Sequence, residues 1–356
     1  MFLSYERACQ HLAEELSEIN KIRWKTIIKY IIGLSLIIVG PFAMLYLSFY
    51  PSILAFTPTI FDVKTEDIIV VIARFGIFFI ILIGVVVIMN AKSYFQYQYK
   101  ELIVKTMVKT LIETCQLPDD ATEDDLRWNY YKSKKISNRR ISSSGLFHLE
   151  GSDRAQGRDL IRGKIGSTTF EFAVLTLYRR IKNWKHERRR GRTKKPKYKK
   201  KFRGILFLAD FNKNFRGHTL LRDRKIKSFS HLKRYFWLAF NSLVTGKKLE
   251  RIELESKEFN EYFKTKTSNE FEARYILTPN FMEKLVDFTK KRRKPIDVSF
   301  RRKYISVGVS SKQDFYKPSI FRMMKHGQVK DVYDTLIFFF MIIEELNLNT
   351  RIWSKD

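Results

Sequence analysis

The chain has 356 residues, 45% of them hydrophobic and 15% aromatic, which excludes global disorder and leaves room for a membrane anchor plus one full-sized domain. Its 67 Lys and Arg against 37 Asp and Glu give a formal net charge of +30, which predicts attraction to phosphate-bearing surfaces and says nothing of fold. The cysteines, Cys9 and Cys115, exclude a disulfide framework and suit a reducing compartment.

Residues 1–29 read as a cytoplasmic amphipathic helix, with Leu3, Ala8, Leu12, Leu16 and Ile19 opposite Glu14, Glu15 and Glu18. From Tyr30 to Phe61 no residue is charged. The run over 30–50 is long enough for a helix to cross about 30 Å of hydrocarbon, with a kink expected at Gly40 and Pro41. A second apolar run over 68–90 is interrupted only by Arg74, close enough to one end to snorkel. Residues 30–90 thus form a transmembrane hairpin. Five basic and four acidic side chains ahead of the first span argue against a cleavable signal peptide. Lys21, Arg23, Lys25 and Lys29 precede the hairpin and Lys92 and Lys100 follow it, whereas the connecting loop sets Lys64 against Asp62, Glu66 and Asp67. Positive flanks stay inside, so both termini are expected on the cytoplasmic side of an inner (plasma) membrane.

Residues 91–117 read as a stalk helix, with Leu102, Ile103, Met107, Val108, Leu111 and Ile112 on one face to pack against the N-terminal helix. The remainder, 118–356, reads as a cytoplasmic α+β domain with a mainly antiparallel sheet and packed helices, and it holds +28 of the net charge. A short capped helix is expected over Asp120–Ser133. Alternation predicts strands in Gly145–Asp153, Asp159–Gly166, Ser167–Arg180, Lys201–Phe215, Glu250–Ser256 and Phe271–Pro279, and two more within Pro295–Ser310. Helices are expected over Lys227–Leu243, from Thr278-Pro279 onward with Phe281, Leu285 and Phe288 as its buried stripe, and over Val329–Asn347. The apolar stretch Leu336–Ile343 of that last helix is too short for a bilayer and should be core.

Arg179–Arg203, RRIKNWKHERRRGRTKKPKYKKKFR, packs fifteen Lys and Arg and one acid into a loop between two predicted strands. Arg188, Arg189, Arg190, Arg192, Lys194, Lys195, Lys197, Lys199, Lys200 and Lys201 are its candidate contacts with an anionic surface. For a tethered domain the nearest polyanion is the anionic phospholipid headgroup layer, where each cation is worth about 1 kcal/mol. Nucleic acid, with Trp184 and Tyr198 as stacking platforms, and a merely solvated loop are the alternatives.

FLADFNKNFRGHT (Phe207–Thr219), FEARYILTP (Phe271–Pro279) and LNLNTRIW (Leu346–Trp353) resemble sequence blocks of a family of bacterial two-helix membrane proteins of unknown function. The resemblance implies a membrane hairpin with one cytoplasmic domain. Because such proteins are often encoded beside LemA-type membrane proteins, it also suggests one of these as a partner. Asn212, Lys213, Glu272, Arg274, Tyr275, Asn347, Asn349 and Arg351 are the polar residues of those blocks. A strand over FEARYILTP would put Glu272 and Arg274 on one face as an exposed ion pair. Asn347, Asn349 and Arg351 would follow the core helix, and a pocket of Lys213, Arg274 and Arg351 is one arrangement for an anionic ligand.

No catalytic, metal or cofactor motif emerges. GRDLIRGKI has five residues between its glycines where a P-loop needs four, and Ile165 stands where the hydroxyl belongs. The six histidines lack metal spacing. Two carboxylates brought together by folding, such as Asp210 with Glu272, would have the chemistry for acid-base work. The sequence therefore reads as a non-enzymatic scaffold or binding protein without cofactors. The alternatives are a membrane-anchored nucleic-acid binder and an enzyme acting on an anionic small molecule.

Overall fold

The computed structural model describes residues 4–49, 65–114, 126–151, 153–181, 196–210, 214–224, 249–292, 295–311, 318–321 and 328–353. They fall into two compact units, one formed by residues 4–108 and 316–330, the other chiefly by 109–315 and 331–356.

The first unit is helical. α1 (Tyr5–His11) starts at Ser4, whose Oγ accepts from the Arg7 amide at 3.4 Å, and passes through Leu12 into α2 (Ala13–Phe49). α3 (Thr65–Tyr99) returns and continues through one π-helical turn (Lys100–Val104) into α4 (Lys105–Glu113). The apolar stripes behave as expected: Ala8, Leu12, Leu16 and Ile19 are buried, and so are Ile103 and Met107. α2 packs along α3 and along the π turn.

Glycines fix how closely the two long helices approach. A Cβ on Gly33 would stand 2.8 Å from the Gly84 carbonyl oxygen, and one on Gly84 would stand 2.7 Å from that of Gly33. A Cβ on Gly40 would meet Ile81. Contacts that descend along α3 as they ascend along α2 make the pair antiparallel, with backbones touching where small residues allow it. α2 runs continuously through Pro41. Two helices here are long and apolar enough to cross a membrane, and their outer faces carry exposed Ile31, Val39, Phe42, Ile72, Phe75 and Met89.

The second unit is an α+β fold. In chain order its elements are β1 (Leu126–Tyr131), α5 (Asn138–Ser143), β2 (Arg154–Ile165), β3 (Thr168–Arg180), β4 (Tyr198–Asp210), β5 (His218–Asp223), β6 (Glu250–Ile252), α6 (Lys257–Tyr262), β7 (Phe263–Thr267), α7 (Glu270–Ile276), α8 (Pro279–Arg292), β8 (Ile296–Arg301), β9 (Tyr304–Ser310) and α9 (Gln328–Trp353). The described strands join one sheet in the order β1-β2-β3-β4-β9-β8-β5-β7-β6, every pair antiparallel. α9 lays Phe339 and Phe340 on Phe172, Phe207 and Phe170 of one sheet face, and Phe288 of α8 stacks on Phe338 at 3.7 Å. Ile141, Leu146, Leu175, Leu206 and Leu220 pack in a cluster on the other face.

Several sequence expectations need correcting. Residues 126–131 form β1 instead of a helix, because Leu126–Tyr131 pairs residue for residue with Leu160–Ile165. The stretch from Gly145 to Gly151 is irregular. FEARYI is the helix α7, not a strand: Asn269 caps it by accepting from the Glu272 amide at 3.2 Å, and Arg274 reaches back one turn to Glu270 at 2.7 Å. β5, α6 and β7 were not anticipated. The helix start at Thr278-Pro279 holds, with the Phe281 amide donating to Thr278 Oγ1 at 3.3 Å. The expected helix over Lys227–Leu243 lies outside the described residues.

Candidate anion-binding surface

Of the ten basic-loop candidates, Arg188, Arg189, Arg190, Arg192, Lys194 and Lys195 lie outside the described residues. Lys197 immediately precedes β4, and Lys199, Lys200 and Lys201 belong to it. The hairpin is therefore longer and its connection shorter than expected, since β3 runs to Arg180, β4 starts at Tyr198, and the Ile181 amide still donates to Lys197 O at 2.8 Å. Lys201 has its pKa lowered, first by burial and then by repulsion from Arg179 and Lys199.

The family-block residues do not converge. Asn212 and Lys213 lie outside the described residues, and Asn347, Asn349 and Arg351 belong to α9, which continues to Trp353 where a tail was expected. Arg274 is engaged on α7 and beside it, with Glu270, with Glu255 at 2.5 Å, and with the Glu253 carbonyl at 3.1 Å. Glu272 does not pair with Arg274. Its two oxygens accept from the amides of Arg216 (3.0 Å) and Gly217 (2.8 Å), pinning the turn before β5 to the first turn of α7. Asp210 pairs instead with Lys303 at 2.9 Å, so the two carboxylates have separate structural partners. Tyr275 is half-exposed on α7.

Two features that the sequence reading missed lie on the sheet. The first is buried. His218 Nε2 and Ser299 Oγ are 2.9 Å apart, and Gly145 lies over them at φ +74°, so close that a Cβ there would stand 2.5 Å from Ser299 Oγ. Ser299 is fully buried beneath that contact, which leaves no space for a substrate at its hydroxyl; the pair is a structural hydrogen bond. Burial, followed by the charges of Arg301 and Arg222, lowers the His218 pKa to about 3. The unfolded chain therefore takes up a proton near pH 6.5 that the folded chain refuses until about 3. The urea midpoint is expected to fall steadily as pH drops through that window, and His218→Gln should flatten the dependence. An unchanged slope in the variant would remove His218 as its cause.

The second is open. Beyond the part of the sheet covered by aromatic residues, one face of β2, β3 and β4 carries Gln156 beside Thr176 beside Arg203, then Arg154 beside Tyr178 beside Lys200. Gln156, Arg158, Thr176, Tyr178, Lys200 and Arg203 line a recess of about 340 Å³ together with Gly157 and Val174, so three cations and no carboxylate line it. Arg154 extends the basic face, its guanidinium 4.2 Å from the Tyr198 ring. Of the acids nearby, the buried Asp159 pairs with Arg158 at 3.2 Å from within the sheet, and others serve its far side: Arg179 pairs with Glu150 at 3.0 Å, and Glu171 is clamped by Arg140 at 2.6 Å and Arg162 at 2.8 Å.

Residues 200–348 match a family model described as a protein of unknown function (DUF3137). The match runs from β4 into α9 and supports an uncharacterised-domain family. It contains the blocks Phe207–Thr219 and Phe271–Pro279 but only the start of the terminal one, so it is narrower than the resemblance read from the sequence. Lys200 and Arg203 fall within it, whereas Arg158, Thr176 and Tyr178 precede it. No curated protein and no solved structure matches the chain.

Proposed function

We propose that the protein is a membrane-anchored, non-enzymatic binding protein whose sheet domain presents a basic surface to phosphate-bearing partners, anionic phospholipid headgroups foremost. In this reading the helical pair spans a bacterial inner membrane twice, and the basic flanks Lys21, Lys25, Lys29 and Lys92 keep both termini and the domain in the cytoplasm. The observation that carries it is the open end of β2–β4, where Arg154, Arg158, Lys200 and Arg203 share one face and no carboxylate lines the recess. The adjoining segment adds Arg188, Arg189, Arg190, Arg192, Lys194 and Lys195 in sequence. Fixed tethering keeps lipid permanently local, so modest attraction per cation suffices. A scaffold role, with a LemA-type membrane protein as a partner, rests on the sequence resemblance alone.

Nucleic acid is the second reading, favoured by Tyr178 and Tyr198 on the basic face. Arg154 over the Tyr198 ring weighs against it, because it occupies a surface on which a base would stack.

Full-length protein in zwitterionic nanodiscs is expected to capture phosphatidylglycerol-containing vesicles in preference to phosphatidylcholine vesicles, and to release them as salt rises. Equal capture of both would sink the lipid reading. Retention of single-stranded RNA at salt concentrations that release the vesicles would replace it with the second.

A further inference from the structure

We propose that the recess on β2–β4 is a discrete site for a phosphomonoester group, the dianionic phosphate at the end of a lipid headgroup or of a small soluble metabolite. This deepens the reading above and rests on it for the claim that the basic face binds phosphate. What goes beyond diffuse attraction is that the backbone is irregular on both flanks of the site, in the way needed to bring its cations together.

In a regular strand Lys200 and Arg203 would point to opposite faces, since they are an odd number of residues apart. β4 carries one extra residue between Phe202 and Lys200, so that Arg203 lies opposite Thr176 and Lys200 opposite Tyr178, on one face. β2 is bulged as well, between Arg158 and Ile161. Within that bulge Asp159 adopts a left-handed backbone at φ +57°, an unfavourable conformation for a residue with a side chain. It is held there from several directions: its amide donates to Lys132 O at 3.0 Å, Tyr130 Oη donates to Oδ1 at 2.9 Å, and Arg158 Nε donates to Oδ2 at 3.2 Å. The fully buried Asp159 carboxylate thus orients Arg158 from beneath and offsets one of the three lining cations, while no carboxylate lines the recess itself. Bulges that re-aim side chains are over-represented next to functional sites.

The chemistry selects the ligand class. Guanidinium donors suit phosphate oxygens, Arg158 being oriented through its Nε by Asp159; Lys200 adds a point charge, and the hydroxyls of Thr176 and Tyr178 add two neutral donors. With Asp159 set against Arg158, the three cations carry two net positive charges, which match a dianion better than the single charge of a phosphodiester and disfavour an internal phosphate of a nucleic acid strand. The volume of about 340 Å³ exceeds a phosphate group alone and admits part of the glycerol or sugar that bears it.

The test uses the full chain in detergent, titrated calorimetrically with glycerol 3-phosphate and with dimethyl phosphate. Glycerol 3-phosphate is expected to bind roughly tenfold more tightly, and Lys200→Ala with Arg203→Ala to remove roughly tenfold of that affinity or more. Lys199→Ala, an exposed cation on the opposite face, should change it by less than about twofold. Tyr178→Phe gives a second, milder loss in a variant that keeps its ring. Equal affinity for the diester, or equal loss in Lys199→Ala and Arg203→Ala, overturns the site. Micelles doped with phosphatidic acid settle the source: tighter binding than to glycerol 3-phosphate assigns a lipid, and equal binding assigns a soluble ligand. Vesicle capture without glycerol 3-phosphate binding overturns the recess and spares the broader reading. Glycerol 3-phosphate binding without vesicle capture upholds the recess and overturns the lipid function.

Discussion

Phe339→Ala is expected to destabilise the sheet domain by about 3–5 kcal/mol, the range for truncating a fully buried aromatic ring. Phe339 is 0% exposed and sits at the centre of the aromatic layer between α9 and the sheet. Its ring stacks on Phe207 at 4.6 Å and 7°, and it meets Phe172 at 5.6 Å and Phe338 at 6.1 Å. Truncation removes ring contacts with two neighbouring strands at once and leaves a cavity that rigid strands cannot close. Phe271→Ala is the control: that ring is 83% exposed on α7, and its removal should cost less than about 0.5 kcal/mol. Urea unfolding of the full chain in detergent, followed by circular dichroism, reads both. A loss below about 1 kcal/mol for Phe339→Ala would mean that α9 does not seat on β3 and β4 through this ring.

That layer was legible in the sequence because eight consecutive apolar residues on a helix too short for a bilayer have to be buried in protein. The long hydrophobic helices and the strands β3, β8 and β9 were legible for the same reason, since length and alternation report burial directly. FEARYI failed because it alternates like a strand while its ends obey helix chemistry: Asn269 stands where a cap belongs and Glu270 precedes Arg274 by four residues. Short strands such as β5 and β7 escaped because their polar residues are satisfied inside the sheet. Thr219 and Thr267, both buried, share a hydrogen bond at 2.9 Å across that pair.

The candidate site was harder to see. In the sequence Lys200 is one cation among ten in an expected loop, and Arg203 only closes that stretch. Arg158, Thr176, Tyr178 and Gln156 were missed because their shared face depends on two bulges, and a bulge shifts every later side chain of its strand relative to simple alternation. A signal existed: GRDLIRG breaks the alternation of β2 with a glycine and an aspartate at the position where the backbone turns left-handed.

The opposite sheet face supplies a second large effect, on a charge pair. Asp297→Ala is expected to cost about 3–5 kcal/mol, because it strands Arg222 in a largely buried position. Arg222 Nη1 lies 2.5 Å from Asp297 Oδ2, and Nη2 donates to the Leu146 carbonyl at 3.3 Å. On the neighbouring strand Lys264 faces Arg222 across the β5–β7 ladder, so removing the carboxylate leaves like charges side by side. The pair is not an unqualified asset, since Arg222 Nε and Asp297 Oδ1 are buried without hydrogen-bond partners. Desolvating both ions offsets much of their attraction, and replacing both with leucine removes the two charges and the two unsatisfied atoms together. Arg222→Leu with Asp297→Leu should therefore lie within about 1–2 kcal/mol of the parent, well above Asp297→Ala alone. A double variant as unstable as the single would show that the sheet needs the ion pair itself, as a polar contact fixing β5 against β8, rather than only the absence of an unpaired charge.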